Sequence, residues 1–430
     1  ATNVRPTRSI DGLPLTTKAA RRAVHRRLER LDHGLLAVHD GAGSTTFGRV
    51  SPMAPDHAVS MRIGDANAYR RMVTGGSIGF AEGYLAGEWD SDDLVGLLRL
   101  FTRNIAMTHE ASGGLSIAAS AARRLWHRAR SNSRRGSRRN IEAHYDLGND
   151  LFELFLDPTM TYSCGIFRTP EASMEEASVE KLDRICRKLD LSEDDHVVEI
   201  GTGWGSFAIH AARTTGCRVT TTTISPSQHA LASARVREAG LEDRVRVLLK
   251  DYRDLEGTYD ALVSIEMIEA VGHRHLDSYF GACSRLLKDE GSMVIQAISV
   301  PDRRYASYLR SVDYIQRHVF PGSCCPSVGA MMSSVGRSSD LKLVHLEDLT
   351  PHYATTLSRW RARFQERIEE VRALGYPARF ERMWTYYLAY CEAGFAERYI
   401  GTAQVQFDKP ACRRGALLPP LGAGVAEASC

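Results

Sequence analysis

What most constrains the fold of this 430-residue chain is an alternation of short apolar runs and amphipathic segments, built around the glycine turn Glu199-Ile-Gly-Thr-Gly-Trp-Gly205. HVVEIG (196–201) reads as a strand ending at that turn, and SFAIHAARTTG (206–216) as a helix stopped by Gly216. CRVTTTTIS (217–225) is a second strand. SPSQHALASARVREAG (225–240) is a helix with Ser225 as its N-cap and Gly240 as its C-cap. Strands over 244–252 and 259–267, a helix over 275–291 and a strand over 292–299 continue the series. Strands and helices alternating at this spacing predict an α/β fold with a doubly wound, mostly parallel sheet.

Four regions follow from the pattern. Residues 1–108 read as a smaller N-terminal α+β domain, with a strand over 57–64. A turn from 79 leads there into an amphipathic helix ending near 105, with Ser91 as cap among Asp90, Asp92 and Asp93. Residues 109–139 read as a basic linker and 140–408 as the sheet domain. The latter carries an aromatic-rich insert: Tyr305, Tyr308, Tyr314, Phe320, Trp360, Phe364, Phe380, Trp384, Tyr386, Tyr387, Phe395 and Tyr399. These rings are core residues or the wall of an apolar cavity. Residues 409–430 show no periodicity and are expected to be a disordered tail.

Net charge is only +3, so bulk charge selects no partner. Residues 121–140, however, hold eight arginines and no acid, and 18–30 (KAARRAVHRRLER) form a second basic stretch at helical spacing. Such runs are solvated faces, or they attract an anionic membrane surface at roughly 1 kcal/mol per basic residue. No nucleic-acid motif accompanies them, so nucleic acid is not an expected partner. No run approaches the length of a membrane span. Nine cysteines without CxxC pairs exclude a disulfide scaffold and a zinc site, so no metal is expected, and they fit a reducing, cytoplasmic compartment.

Glycines at 201, 203 and 205 let a ligand approach the backbone at the carboxyl end of the first strand of the sheet, where doubly wound sheets bind cofactors. Ser206 breaks the dinucleotide pattern G-x-G-x-x-G, and Glu199 stands two residues before the first glycine. Both favour S-adenosylmethionine (SAM) over a dinucleotide. The second strand ends Thr221-Thr-Thr-Ile-Ser225, without the acid that often holds ribose hydroxyls.

Together with Ile141-Glu-Ala-His-Tyr-Asp-Leu-Gly-Asn-Asp150, Met160-Thr-Tyr-Ser-Cys-Gly165 and Ile265-Glu-Met-Ile-Glu-Ala-Val-Gly272, this turn resembles the cyclopropane fatty acid synthase family. The match runs from about 138 to 407, and is nearest to the actinobacterial branch linked to tuberculostearic acid. The resemblance implies a SAM-dependent methyltransferase acting on the cis double bond of unsaturated phospholipid acyl chains, such as oleoyl. It implies cofactor contacts from Tyr145, Tyr162, Ser163, Gly201, Gly203, Thr223, Ile224, Gln228, Tyr252 and Ile265. It further implies a bound bicarbonate as base, held by Cys164, Glu269, Ile298 and Tyr353. Gln296 stands where the best-known synthases carry histidine; its amide can donate a hydrogen bond but cannot titrate.

The expected product is a methylene-branched chain (10-methylene, then 10-methyl once a reductase acts), with a cyclopropane ring as the alternative. The resemblance also admits a homodimer, and a lipid substrate places the protein at the inner face of the membrane as a peripheral visitor. Two other readings stand beside it: a methyltransferase for a soluble small molecule, and a non-catalytic module that binds SAM or membrane.

Overall fold

A computed structural model describes residues 14–50, 58–105 and 148–415. Tyr145, the linker 109–139 and the tail from 416 onward lie outside the described residues.

The N-terminal part begins with the helix Leu15–Leu28 and builds a four-stranded sheet in the order β2-β1-β3-β4 from β1 (Gly34–Asp40), β2 (Gly43–Arg49), β3 (Ala58–Ile63) and β4 (Trp89–Asp90). Two expectations need correction here. Residues 79–85 are not a turn; they finish the helix Asn67–Leu85, which bends at Gly76, where φ is +59°. The cap of the next helix, Leu94–Arg103, is Asp93, whose carboxylate accepts from Gly96 N–H at 2.8 Å. Ser91 instead donates to the Ser60 carbonyl at 2.6 Å, tying the loop to β3.

The larger sheet has seven strands: β5 (His196–Ile200), β6 (Arg218–Thr223), β7 (Val245–Leu249), β8 (Tyr259–Ile265), β9 (Leu287–Ser299), β10 (Lys342–Asp348) and β11 (Gly401–Asp408). Their order is β10-β11-β9-β8-β5-β6-β7. The pairs β5–β6, β5–β8, β6–β7 and β8–β9 are parallel, and β11 runs antiparallel between β9 and β10. The α/β, mostly parallel sheet is therefore as expected. One boundary differs. The helix expected over 275–291 ends at Leu286, because Leu287 turns extended, buries its side chain and pairs with Tyr259 as the start of β9.

The alternation of side chains along a strand sorts the core onto two faces. Val198, Ile200, Leu262, Met293 and Ile295 pack toward the helices Leu276–Leu286 and Val328–Ser338. Val197, Ala261, Val263 and Val294 pack toward Met174–Leu189 and Ser206–Thr215. Burial on both faces explains why these strands read as continuous apolar runs. A third cluster joins the N-terminal sheet and helices to the aromatic helices Thr350–Glu366 and Ala378–Ala396. Arg99 and Arg103 both pair with Glu397, at 2.7 and 2.6 Å, and Arg382 caps the Tyr84 and Trp89 carbonyls, so the N-terminal part is fastened across the mouth of the sheet.

Candidate active site

The carboxyl ends of β5, β6 and β8 open into one cavity of about 1410 Å³. This exceeds the roughly 300–1,000 Å³ of a site for one drug-sized ligand.

At its sheet end the glycine turn forms the floor. Gly201, Gly203 and Gly205 have φ of +103°, +53° and +87°, in the range that L side chains avoid. A Cβ at 201 would sit 3.3 Å from Met267, whereas the space beside Gly203 is open. Gly201 and Thr202 N–H both donate to the Thr222 carbonyl, which pins the turn to β6. Beneath it Thr221 donates to buried Glu199 at 2.6 Å; burial pushes the Glu199 carboxyl up to about 8. At the end of β6 the Thr223 hydroxyl donates to Gln228 Oε1 at 2.8 Å, committing the carbonyl end of that amide and leaving its NH₂ as the donor end. Ile224, Tyr252 and Ile265 line the same wall. Tyr162 covers it, its hydroxyl 2.7 Å from that of Tyr387, and the Ser163 hydroxyl accepts from Lys181 Nζ at 2.8 Å. This open, glycine-floored turn with polar groups at the ends of two strands fits SAM.

Behind the cofactor end lies a cluster of carboxyl groups. Glu266, the residue after β8, has φ +48°. Its Oε1 accepts from Cys164 N–H at 3.0 Å and from Gln296 Nε2 at 2.9 Å, and its Oε2 from the Tyr353 hydroxyl at 2.5 Å. Gln296 is held in that orientation from behind: its Oε1 accepts from Gln404 Nε2 at 3.1 Å, and Gln404 Oε1 accepts from Lys188 Nζ at 2.7 Å. Gln404 and Gln296 are register partners on β11 and β9, so the relay runs straight across the sheet.

Glu269 accepts from Ile298 N–H at 2.5 Å through Oε1, while its buried Oε2 has no partner among the described residues. Burial, then the neighbouring Glu266, raises its carboxyl to about 8. Cys164 contributes its backbone. Its buried thiol donates to the Gly165 carbonyl and is pushed well above the ordinary thiol range by burial, which disfavours a thiolate.

Of the five residues expected at the catalytic centre, Glu269, Ile298 and Tyr353 line the cavity, whereas Cys164 and Gln296 stand behind its wall. The donors that the resemblance assigns to bicarbonate do not fit that anion. Cys164 N–H, the Gln296 amide and the Tyr353 hydroxyl are engaged by Glu266, and Ile298 N–H by Glu269.

Comparison with known proteins places this geometry. The model of the mycolic acid cyclopropane synthetase family matches residues 132–405. The tuberculostearic acid methyltransferase UfaA1 of Mycobacterium tuberculosis is 40% identical over 377 residues, covering 86% of each chain. The cyclopropane-fatty-acyl-phospholipid synthase of Escherichia coli K12 is 34% identical over 361 residues, covering 81% of this chain and 87% of its own. The solved structure of mycolic acid cyclopropane synthase CmaA1 with SAH and CTAB superposes with a TM-score of 0.60 at 30% identity, covering 63% of this chain and 98% of that one.

The chain belongs to the cyclopropane synthase family. It is a SAM-dependent methyltransferase that transfers a one-carbon unit.

Two residues of this enzyme's site are absent from the sequence reading. Glu266 stands inside the quoted motif Ile265–Gly272, but only its left-handed backbone turns it toward Cys164 and Gln296. Lys181 is 1% exposed, on the buried stripe of its helix with Ala177, Ser178 and Ile185. A cation on an apolar helical face is the signal that could have found it. The aromatic insert divides. Tyr308, Tyr314, Phe320, Tyr386, Tyr387, Phe395 and Tyr399 line the cavity, and Tyr305, Trp360, Phe364, Phe380 and Trp384 do not.

Proposed function

We propose that this enzyme adds the SAM methyl carbon to the cis double bond of an unsaturated phospholipid acyl chain such as oleoyl, and releases a methylene-branched chain that a separate reductase can saturate. The observation that carries this reading is the continuity of the cavity. One space runs from the glycine turn, past the aromatic helices, to Met72, Phe80 and Phe101 of the N-terminal part. A soluble substrate needs no such apolar length. Arg26, Arg30 and Arg310 border the same space, where a phosphate head group would lie while the acyl chain enters. Among the described residues no helix is long and apolar enough to cross a membrane. The 40% identity to a tuberculostearic acid methyltransferase, against 34% to a cyclopropane synthase, supports the branched product.

SAM supplies an electrophilic methyl on a sulfonium. Gly201 and Gly203 would let it lie against the backbone, and Thr223, Gln228, Tyr252, Tyr162 and Ser163 are the residues that would hold it. A double bond is a weak nucleophile, so alignment supplies much of the rate. The apolar wall keeps water from the carbocation that methyl transfer leaves. Aromatic faces there stabilise that cation by about 0.5–2 kcal/mol each.

The test is fatty-acid mass analysis after expression in a host that contains oleate and lacks its own cyclopropane synthase. A gain of one CH₂ is expected, and fragmentation then separates a methylene branch from a ring. No gain, with folded protein that binds SAM, would overturn the lipid reading in favour of a soluble acceptor or a non-catalytic module.

A further inference from the structure

The reaction needs a base. Once a methyl has been added to one alkene carbon, the neighbouring cation is discharged only by losing a proton. An external anion is the expected base, yet the donors that would hold it converge on a side chain of the protein. We propose that Glu266 is the catalytic base of this enzyme, its carboxylate occupying the anion position and making bicarbonate unnecessary. The inference rests on the alkene methyl-transfer reading above and deepens it.

Three observations carry it. Glu266 lines the cavity, and its carboxylate collects three donors from three separate segments, Cys164 N–H, Gln296 Nε2 and the Tyr353 hydroxyl, which fix it in position. Its backbone sits at φ +48°, a conformation that glycine adopts freely and glutamate does not. The strain is retained where a carboxylate at this point is what the position provides. The hydrogen-bond donors around the two acids also differ. Facing Glu266 are Lys181, buried on the helix Met174–Leu189, Cys164 and Tyr353, and the second acid Glu269. Burial raises the Glu266 carboxyl above the ordinary carboxylate range, and the three donors and Lys181 oppose that shift. Glu269 has one N–H donor and an unpartnered oxygen, so it remains the neutral acid.

In the step itself, a C–H bond of the added methyl breaks and its proton passes to a Glu266 carboxylate oxygen. The released electron pair closes the C–C bond of a ring or, after a hydride shift, forms the C=C bond of a methylene branch. Glu266 returns the proton to water when product leaves.

The experiment uses the full chain with SAM and vesicles of dioleoyl phosphatidylglycerol, in buffers stripped of carbon dioxide or supplemented with bicarbonate. Wild-type turnover is expected to be the same in both. Glu266→Ala is expected to lose roughly 10²–10⁴-fold in rate, the usual worth of a general base, with SAH affinity and Tm retained, and to recover part of that loss when bicarbonate or formate is added. Glu266→Gln, which fills the space without a base, is expected to be inactive and not rescued.

Binding of ¹³C-bicarbonate to the SAH complex, followed by NMR, is read in parallel and needs no lipid turnover. Wild type is expected to show none and Glu266→Ala saturable binding. Saturable binding to wild type, wild-type turnover that collapses without bicarbonate, or a fully active Glu266→Gln would each overturn the proposal. A wild type inert on oleoyl lipid that also fails to bind bicarbonate would instead count against the substrate reading alone.

Discussion

Tyr353→Phe tests how the carboxylate at 266 is tuned. The Tyr353 ring stacks on Phe395 with centroids 4.3 Å apart, and the phenylalanine ring keeps that contact. What is lost is one hydrogen bond, from the hydroxyl to Glu266 Oε2. Burial holds the Tyr353 hydroxyl well above the ordinary tyrosine range, so in wild type it remains a donor across the working pH. A hydrogen bond to a charged group is worth about 1.5–3 kcal/mol, and its loss raises the Glu266 carboxyl by about 1–2 pH units. A base works ionised. The acid limb of the rate profile should therefore move to higher pH by that amount, costing roughly 10–100-fold below the limb and little above it. The assay is single-turnover methyl transfer from SAM to oleoyl vesicles between acid and alkaline pH, without bicarbonate, with SAH affinity measured alongside. An equal loss at every pH, with the limb unmoved, would refute the idea that Tyr353 acts through the proton affinity of Glu266.

Gly201→Ala places a Cβ at φ +103° and 3.3 Å from Met267, and should cost about 1–3 kcal/mol in a denaturant titration and weaken SAH binding in calorimetry. Asp93→Ala removes the cap on Gly96 N–H and should cost about 1 kcal/mol while leaving SAH binding unchanged. Glu269 has a folded value of about 8 against an ordinary 4.5, so it keeps a proton that the unfolded chain gives up. Its contribution to stability is fully present below about 4.5 and lost as pH rises toward 8. Glu269→Gln should thus gain on wild type across that window, by at most about 1.4 kcal/mol per pH unit, in parallel urea titrations. Arg26→Ala with Arg30→Ala should weaken binding to anionic vesicles by about 1 kcal/mol per residue, seen by sedimentation, and leave SAH binding alone.

The parts of this molecule legible in its sequence are those in which local pattern and tertiary role agree. The β5 run is apolar because both faces are buried, and the glycines of its turn have the positive φ that their presence suggested. Ser225 caps its helix on Gln228 N–H, and Gly216 ends the preceding one in the left-handed conformation. The reading failed where backbone geometry or long-range pairing decides. Asp93 rather than Ser91 is the cap, because Ser91 is drawn to β3. The helix before β9 stops early because Leu287 finds a strand partner across the sheet. Of the two acids in Ile265–Gly272, sequence cannot say which faces Gln296. That follows from the turn at Glu266 and from Gln404 on β11, more than a hundred residues away in sequence. Lys181 has no part in the sequence reading; the stripe it shares with Ala177 and Ile185 marks its burial.

The glutamine at 296 acquires a physical reason from this arrangement. A histidine beside a buried carboxylate would titrate with it, and a site whose base is a carboxylate gains nothing from a second group changing charge nearby. Gln296 can only donate or accept, and Gln404 accepts no ambiguity in which: its NH₂ faces the carbonyl of Gln296 because Lys188 takes its own oxygen. The amide end of Gln296 is thereby committed to Glu266 before any substrate arrives. The two acids then differ as a base and a neutral neighbour must. Glu266 has three donors and a buried lysine near it, whereas Glu269 accepts from Ile298 N–H and has a buried oxygen with no partner among the described residues. Burial raises both carboxyls, and it is opposed at Glu266 by three donors and a lysine, at Glu269 by backbone N–H alone. Both acids line the cavity in which a cation must form, and a carboxylate held at 266 by its three donors favours both the formation of that cation and the removal of its proton.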